Sequence, residues 1–273
     1  MSIVKALLKK ALPARLVTLR KPGKGSYSHL DEEAIIKRYL DSLPVANKFC
    51  VDIAASDGIT MSNTYSLYKN GWDGIAVEFD PVKFAALSGL YKTFGGVHLV
   101  RTKVIPNNVV SILKACQCPA DFAFLNFDID SYDYFVLERL LAEFRPRLLC
   151  VELNEKIPPP ISFTVLYDPQ HWWAGDHFFG QSIAQCSTLC KKYNYDIAEL
   201  HYNNLFLLPH EINKQGALSP EEAYRIGYKD KPDRKEKFPW NADMEDLLNL
   251  SKDDGIKFLN DKFEKYKGKY TIG

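Results

Sequence analysis

The sequence lacks several features that would place the protein in a membrane, on nucleic acid or outside the cell. No apolar run approaches the roughly 18 residues that a membrane-spanning helix needs. Lysine and arginine number 35 against 34 aspartates and glutamates, and the resulting net charge of +1 gives no strong field to attract nucleic acid or an anionic membrane. The six cysteines form no C-x-x-C pair, and we find no signal peptide. We therefore expect reduced thiols in a cytoplasmic protein.

Glycine is scarce where a dinucleotide-binding protein would concentrate it. Such a protein has a G-x-G-x-x-G turn after its first strand, with the pyrophosphate bound at the start of the following helix. The corresponding turn here, Ala54-Ala-Ser-Asp-Gly58, has one glycine and follows Asp52 closely. The carboxylates of Asp52 and Asp57 would repel a pyrophosphate, which disfavours a nicotinamide oxidoreductase.

The segment around this turn has the pattern of a βαβ unit. An apolar strand at Phe49–Ile53 leads into the turn, polar residues at 62–64 begin a helix, and a second strand, Ile75–Val77, stops on Glu78. In such a unit the acid at the tip of the second strand accepts hydrogen bonds from ribose hydroxyls. The acidic turn favours a cationic, phosphate-free nucleoside such as S-adenosylmethionine, which carries a sulfonium and an ammonium group.

These residues resemble class I S-adenosylmethionine-dependent methyltransferases, most closely the FkbM-like type. The acidic-x-Gly-x-Gly-x-Gly loop of that family matches Asp52-Ile-Ala54-Ala-Ser56-Asp-Gly58, with alanine and serine in place of two glycines, a variation that FkbM-like loops tolerate. The resemblance covers roughly residues 48–209. It implies a cofactor site formed by the following residues: Asp52, Ala54, Ser56, Gly58, Asn63, Glu78 and Asp128.

The order of strands and helices predicts an α/β fold. Near-continuous apolar strands alternate with helices, as in a doubly wound, mostly parallel sheet that is covered on both faces. Two short strands around the asparagine turn at 202–204 predict a terminal antiparallel hairpin. The resemblance implies a seven-stranded Rossmann-like methyltransferase sheet whose last strand is inserted between the fifth and the sixth. We expect an N-terminal helical extension at 1–47, a cofactor-binding domain at 48–210 and a C-terminal helical extension at 211–273.

Acidic residues follow the fourth and fifth predicted strands. The FkbM-like pattern Ile-Asp-Val-Glu-Gly-x-Glu maps without a gap onto residues 127–133, and Glu152 and Asn154 end the fifth strand. Because ligands lie where the strand order reverses, we expect Asp52, Asp128, Asp130, Glu152 and Asn154 at one edge of the sheet. So many carboxylates raise one another's pKa unless a cation or hydrogen-bond donors intervene.

Three interpretations of these acids remain open. In the first, Asp128 or Asp130 contacts the amino group of the cofactor and another acid is the general base. In the second, Asp130, Glu152 and Asn154 hold Mg²⁺ or a similar divalent cation that binds and orients a diol. In the third, Asp130 and Asp133 merely cap the following helix, which fits Asp133 well and Asp128 poorly.

A long segment without regular structure, residues 156–180, follows the fifth strand and has the length of a lid. We call it the lid segment. Its aromatic side chains could stack on a sugar or a planar substrate, and His177 beside Asp176 could be an oriented base. The alternative is that the rings pack on the sheet edge and the histidines are surface residues, which we favour for His171. The candidate catalytic residues are therefore Asp128, Asp130 and His177.

The two ends of the chain lie outside the family resemblance, and their sequence patterns are weaker. The first 30 residues hold seven basic side chains and no acid, and an amphipathic helix ending before Pro13 would either pack on the domain or contact a membrane surface. From Ser219 onward we expect a capping box, a solvated linker at 229–237 and two amphipathic helices at 243–250 and 252–266, which form a surface extension or an oligomer contact.

Together these observations predict an S-adenosylmethionine-dependent O-methyltransferase. Its acceptor would be a hydroxyl of a sugar, a glycan or a similar small polyol, which the family resemblance alone suggests. The alternative is a non-catalytic S-adenosylmethionine-binding partner in glycan biosynthesis. Nucleic acid is disfavoured as a substrate, because the chain also lacks the Asp/Asn-Pro-Pro-aromatic motif of amino-methylating enzymes.

Overall fold

The computed structural model of the protein describes residues 26–273. The predicted basic helix of the N-terminal segment lies outside the described residues. The strands run in chain order as follows: β1 Phe49–Ile53, β2 Asp73–Glu78, β3 Val97–Arg101, β4 Phe124–Phe127, β5 Leu148–Glu152, β6 Phe163–Val165, β7 Tyr195–His201, β8 Asn204–Pro209 and β9 Tyr270–Ile272. The α-helices are α1 Glu32–Ser42, α2 Tyr65–Lys69, α3 Pro81–Tyr91, α4 Val109–Ala115, α5 Asp133–Leu141, α6 Ile183–Tyr193, α7 Pro220–Tyr224, α8 Arg234–Lys237 and α9 Lys252–Lys262.

Seven of the strands form one sheet in the order β3-β2-β1-β4-β5-β8-β7. Strands β1 to β5 pair in parallel, and β8 is antiparallel to both of its neighbours, β5 and β7. The predicted doubly wound, seven-stranded sheet with a terminal hairpin is therefore confirmed, including the insertion of the last strand of the sheet. The strand order reverses between β1 and β4, which places the expected ligand crevice at their carboxyl ends.

Both faces of the sheet are buried because alternate residues of each central strand enter different cores. Val51 and Ile75 lie in one cluster with the side chains of α5 and α6, whereas Cys50 and Ala76 lie in the other with α1 and α3. This is why the strands have near-continuous apolar sequences rather than a polar-apolar alternation. All six cysteines, which the described residues include, are free thiols.

A second, two-stranded sheet was not predicted. Strand β6 lies inside the lid segment and pairs antiparallel with β9 at the end of the described chain, where Phe163 faces Ile272. Strands of three residues give too short a polar-apolar pattern to recognise in a sequence. The lid segment and the last residues of the chain are therefore held together by backbone hydrogen bonds.

The C-terminal part is more ordered than the sequence indicated. The predicted solvated linker at 229–237 contains α8, and Arg234 donates to Glu245 at 2.8 Å. The segment predicted as a helix at 243–250 belongs to a 3₁₀ helix, Pro239–Asn249. The predicted capping box is confirmed, since Ser219 and Glu222 bond each other's backbone N–H groups.

Two helices begin after polar residues that do not cap them through a side-chain hydrogen bond. Asp31 precedes α1 and Asn108 precedes α4, but neither side chain accepts from the first turn of its helix. Asn108 instead closes the preceding turn by accepting from Ile105 N–H and donating to Lys103 C=O. Within residues 26–273, no helix is long and apolar enough to cross a membrane.

Gly58, in the loop after β1, allows a test of how closely that loop packs against α3. Its φ is +84°, and a Cβ there would lie 2.5 Å from Leu87 Cδ1 and 2.8 Å from Tyr91 Cε1. Gly71 has a similar φ of +79° but open space around the same position. Both alanine variants incur backbone strain, whereas Gly58→Ala also overpacks a core. We expect Gly58→Ala to lower the free energy of unfolding by about 1–3 kcal/mol more than Gly71→Ala.

Urea unfolding of the two variants and the wild type measures this difference. Equal losses for the two variants would show that backbone strain, and not the contact with α3, determines the need for glycine at position 58.

Candidate active site

The loop after β1 has the backbone of a glycine-rich loop although it contains one glycine. Ala54, Ser56 and Gly58 all have positive φ values, of 70°, 53° and 84°. Such values are strained for alanine and serine and are retained when surrounding contacts fix them. The three residues occupy the three glycine positions of the family pattern, so the alignment predicted from sequence has a counterpart in the backbone geometry.

Asp52, which precedes this loop in β1, is buried. Its Oδ2 accepts from Thr64 Oγ1 at 2.5 Å and its Oδ1 accepts from Asn126 Nδ2 at 2.8 Å. Asn63 Nδ2 in turn donates to Asn126 Oδ1 at 2.9 Å. Burial raises the pKa of Asp52, although these two hydrogen bonds oppose the shift. The carboxylate thus joins β1 to the start of α2 and to β4.

Glu78 holds the other side of the loop. Its Oε2 accepts from Ser56 N–H at 2.8 Å, and its Oε1 accepts from Asp80 N–H at 2.6 Å. Asp80 then caps α3 by accepting from Val82 N–H and Lys83 N–H. The predicted ribose acid is therefore fixed in place at the tip of β2, and the residue after it, Phe79, is largely exposed.

Three acids come together at the ends of β4 and β5. Asp128, Asp130 and Glu152 each offer a carboxylate oxygen that lies within 4.8 Å of the other two. We call these residues the acid cluster. Asn203 Nδ2 donates to Glu152 Oε1 at 2.7 Å. Asp130 has a φ of 53°, a value that few residues other than glycine adopt and that often occurs at functional sites.

Asn154 lies next to the acid cluster in sequence but binds the lid segment. Its Nδ2 donates to the carbonyl groups of His177 at 2.9 Å and Phe179 at 3.0 Å. The amide oxygens of Asn154 and Asn203 are buried and have no hydrogen-bond partner among the described residues. Orphaned buried oxygens of this kind are uncommon and are consistent with a bound water or ion.

Asp133 supports the turn that carries the acid cluster. Its Oδ1 accepts from Ile129 N–H at 3.1 Å and its Oδ2 accepts from Ser131 N–H at 2.8 Å. Burial raises the pKa of Asp133 to about 6. Its role is therefore to hold the backbone on both sides of Asp130.

His177 is oriented by an aspartate that the sequence did not suggest. Its Nε2 lies 3.0 Å from Asp243 Oδ1, and Asp243 Oδ2 accepts from Lys262 at 2.5 Å. Asp176, the expected partner, binds Tyr266 at 2.6 Å and Lys265 at 2.8 Å instead. Burial, with Lys156 nearby, lowers the pKa of His177, so the imidazole is neutral at pH 7.

The prediction that His171 is a surface residue is wrong. The residue is 8% exposed, and its ring packs edge-on against Phe178 at 5.7 Å. Phe178 itself stacks on Tyr266 at 3.9 Å. The lid segment buries His171 because the C-terminal residues pack against it, which could not be inferred from the lid sequence.

Several residues of this site were missed. Thr64, Asn126 and Asn203 each position an acid that the sequence had indicated. Asn126 did give a signal, because it is a polar residue within an otherwise apolar buried strand. Asp243 gave none, since it lies 66 residues from His177 in a segment without a recognisable motif.

The sequence matches no protein-family model, and no curated protein matches it. Solved structures resemble it remotely. The N-terminal domain of EvdMO1 with SAH bound has 7% identity and a TM-score of 0.44, over 67% of this chain and 82% of that one. A SAM-dependent methyltransferase from Aquifex aeolicus has 12% identity and a TM-score of 0.42, over 72% and 98%. The glycopeptide N-methyltransferase MtfA complexed with SAM has 10% identity and a TM-score of 0.38, over 70% and 93%. Likeness at this level carries no argument about activity, which must come from the site itself.

The raised pKa of Asp133 predicts a pH dependence of stability. The folded protein holds this proton up to about pH 6, whereas the unfolded chain loses it near pH 4. Folding therefore binds a proton between these values, and the contribution of Asp133 to the free energy of unfolding falls as the pH rises from about 4 to about 6. At about 1.4 kcal/mol for each pKa unit, the loss is roughly 2–3 kcal/mol.

Urea unfolding of the wild type and of Asp133→Asn at several pH values from 4 to 7 isolates this contribution. The variant does not titrate at this position, so the difference between the two proteins should change across that interval and be constant above it. A difference that stays constant throughout would contradict the shifted pKa.

Proposed function

We propose that the protein is an S-adenosylmethionine-dependent O-methyltransferase acting on a hydroxyl of a sugar, a glycan or a similar small polyol. The observation that carries the proposal is the loop of Ala54, Ser56 and Gly58, whose φ values are all positive and in which Ser56 N–H donates to the carboxylate of Glu78. Such a loop lets the ligand approach the backbone closely. The FkbM-like assignment is part of the proposal, and the match of its second pattern to the residues around the acid cluster supports it.

The cofactor would lie across the ends of β2, β1 and β4. Glu78 is placed for the ribose hydroxyls, and the acid cluster is placed for the cationic sulfonium and ammonium end. Asp52 is buried and engaged by Thr64 and Asn126, so its part is to join β1 to β4 and to the start of α2 and not to contact the ligand directly. Because Asp52 is compensated by hydrogen bonds and the acid cluster would meet the positive charge of the cofactor, the site can be acidic without burying several unpaired charges.

In the proposed reaction, the acceptor oxygen attacks the methyl carbon of the sulfonium in line with the carbon–sulfur bond. The new carbon–oxygen bond forms as the carbon–sulfur bond breaks, and its electron pair goes to sulfur, which becomes a neutral thioether. The hydroxyl proton goes to a base, for which Asp128, Asp130 and His177 are the candidates. Positioning of the acceptor supplies much of the acceleration, and the base contributes about 10²–10⁴-fold.

A divalent cation is the alternative occupant of the acid cluster, in place of the cationic end of the cofactor. Asp128, Asp130 and Glu152 would hold Mg²⁺ through carboxylate oxygens, and the buried amide oxygen of Asn154 is a further candidate ligand. When bound, the cation would lower the pKa of a coordinated hydroxyl. The cytoplasmic location, oligomer formation and a membrane contact of the N-terminal segment remain predictions from the sequence.

Calorimetric titration with S-adenosylmethionine and S-adenosylhomocysteine tests the proposal directly. We expect both to bind, and we expect radiolabelled methyl transfer to at least one member of a panel of sugars and polyols. Absence of binding would end the proposal. Binding without transfer, with alanine variants of Asp130, Glu152 and His177 that behave as wild type, would favour the non-catalytic alternative.

Glu78→Ala tests the placement of the ribose. Loss of hydrogen bonds to a charged acceptor should weaken binding of S-adenosylhomocysteine by at least about tenfold. Asp73→Ala, at the opposite end of the same strand, is the matched control and should bind as the wild type does. If the two variants have equal affinities, Glu78 does not contact the cofactor.

Asp130→Asn tests the cation. We expect the wild type to bind Mg²⁺ in calorimetry and the variant to bind it about tenfold or more weakly, because a charged ligand is lost. Asp121→Asn, which removes an acid before β4 at the far edge of the sheet, should not change the affinity. Methyl transfer that survives exhaustive chelation would exclude a required metal and leave the metal-free mechanism.

A further inference from the structure

The segment before α1 crosses the edge of the sheet that carries the acid cluster. At one end of this segment, the ring of Tyr27 packs edge-on against Tyr65, the first residue of α2, at 4.5 Å. At the other end, Glu32 begins α1 and its Oε1 accepts from Asn204 Nδ2 at 3.0 Å. Asn204 is the first residue of β8. We call residues 27–32 the N-terminal strap.

The N-terminal strap ends on the same face of the sheet as the acid cluster. Asn204 pairs with Glu152 in the register of β8 and β5, so the two side chains project from one face. Burial raises the pKa of the Cys150 thiol, and nearby carboxylates raise it further, among them those of Glu32, Asp128 and Glu152. Glu32, which is 0% exposed, is therefore a further acid beside the cluster.

His29 lies in the middle of the N-terminal strap and is exposed. The next residue, Leu30, is buried, and its C=O accepts from Nε2 of His201 in the β7–β8 hairpin. Because three residues of chain lead from His29 to Glu32, their Cα atoms are at most about 11 Å apart. The strap thus brings an imidazole to the face and the edge of the sheet where the acids lie.

An imidazole at this place has a chemical use that the acids fill poorly. The positive end of the cofactor, or a metal ion in its place, would compensate the carboxylates of the acid cluster. A nearby positive charge lowers the pKa of a carboxylate and makes it a weaker base. Histidine takes up a proton near neutral pH and is the side chain that most often acts as a general base.

We propose that His29 is the base that accepts the proton of the acceptor hydroxyl, and that the N-terminal strap forms one side of the acceptor site. This inference rests on the proposed function and deepens it. As the hydroxyl oxygen bonds to the methyl carbon, its proton passes to the unprotonated ring nitrogen of His29. The electron pair of the broken carbon–sulfur bond stays on sulfur, so the charges balance.

Chemical rescue tests this role. His29→Ala should lower kcat by about 10²–10⁴-fold for the sugar or polyol that the wild type methylates, and added imidazole should restore part of the loss because it replaces the missing base. Calorimetry should show an unchanged affinity for S-adenosylhomocysteine, since His29 acts on the acceptor. His98→Ala, which removes another exposed histidine near the start of β3, should keep the wild-type rate with and without imidazole. Because His29 is exposed, the alanine variant should fold normally, which its unfolding midpoint checks.

The outcomes separate this inference from the proposed function. If His29→Ala transfers methyl groups as fast as the wild type, His29 is not the base and the proposed function stands. A slow variant that imidazole does not rescue would also overturn the role of His29 as the base. A raised KM for the acceptor with unchanged kcat would assign His29 to acceptor binding alone. If the wild type binds no cofactor, or binds it and methylates no member of the panel, the proposed function itself fails and this inference fails with it.

Discussion

The site depends on one buried carboxylate. Asp52 is 2% exposed, and its two oxygens accept from Thr64 at the start of α2 and from Asn126 within β4. Burying a carboxylate is costly unless donors compensate it. The two donors reduce this cost while connecting three segments at the point where the strand order reverses. The positive-φ loop follows Asp52 directly in the chain, and its strained alanine and serine are held by β2, since Ala54 N–H donates to Val77 C=O and Ser56 N–H donates to the Glu78 carboxylate.

The parts that the sequence predicted well are those set by local patterns. Long apolar strands, alternating helices and an asparagine turn determine the sheet and its terminal hairpin, and acids at the ends of β1, β2, β4 and β5 indicate the edge that holds the site. The hydrogen bonds of Asp52 could not be inferred in the same way, because an acid at a strand end gives the same sequence pattern whatever its partners are. The three-dimensional placement of Thr64 and Asn126 identifies those partners, and Asn126 was the single visible hint.

The remaining features depend on contacts between distant parts of the chain. His177 is oriented by Asp243, and the lid segment shares an apolar core with the C-terminal residues through Phe163, Phe178 and Phe263. Strand β9 adds backbone hydrogen bonds to β6. The predicted boundary at residue 210 thus separates segments that pack on each other. The C-terminal part, in which the sequence indicated no chemistry, is what holds the lid segment over the sheet edge.

The sheet edge is chemically divided, and the division matches the cofactor that we propose. At the end of β2 lie the hydrogen-bonded Glu78 and the ring of Phe79, which contacts Trp172 of the lid segment, whereas the ends of β4 and β5 present three carboxylates within 4.8 Å of one another. A ligand that has a planar base at one end and a positive charge at the other can contact the aromatic part and the acidic part of this edge at the same time. A dinucleotide could not, because its pyrophosphate would lie beside the acids. A cation bound by the folded protein at these carboxylates would stabilise the fold at the ends of β4 and β5.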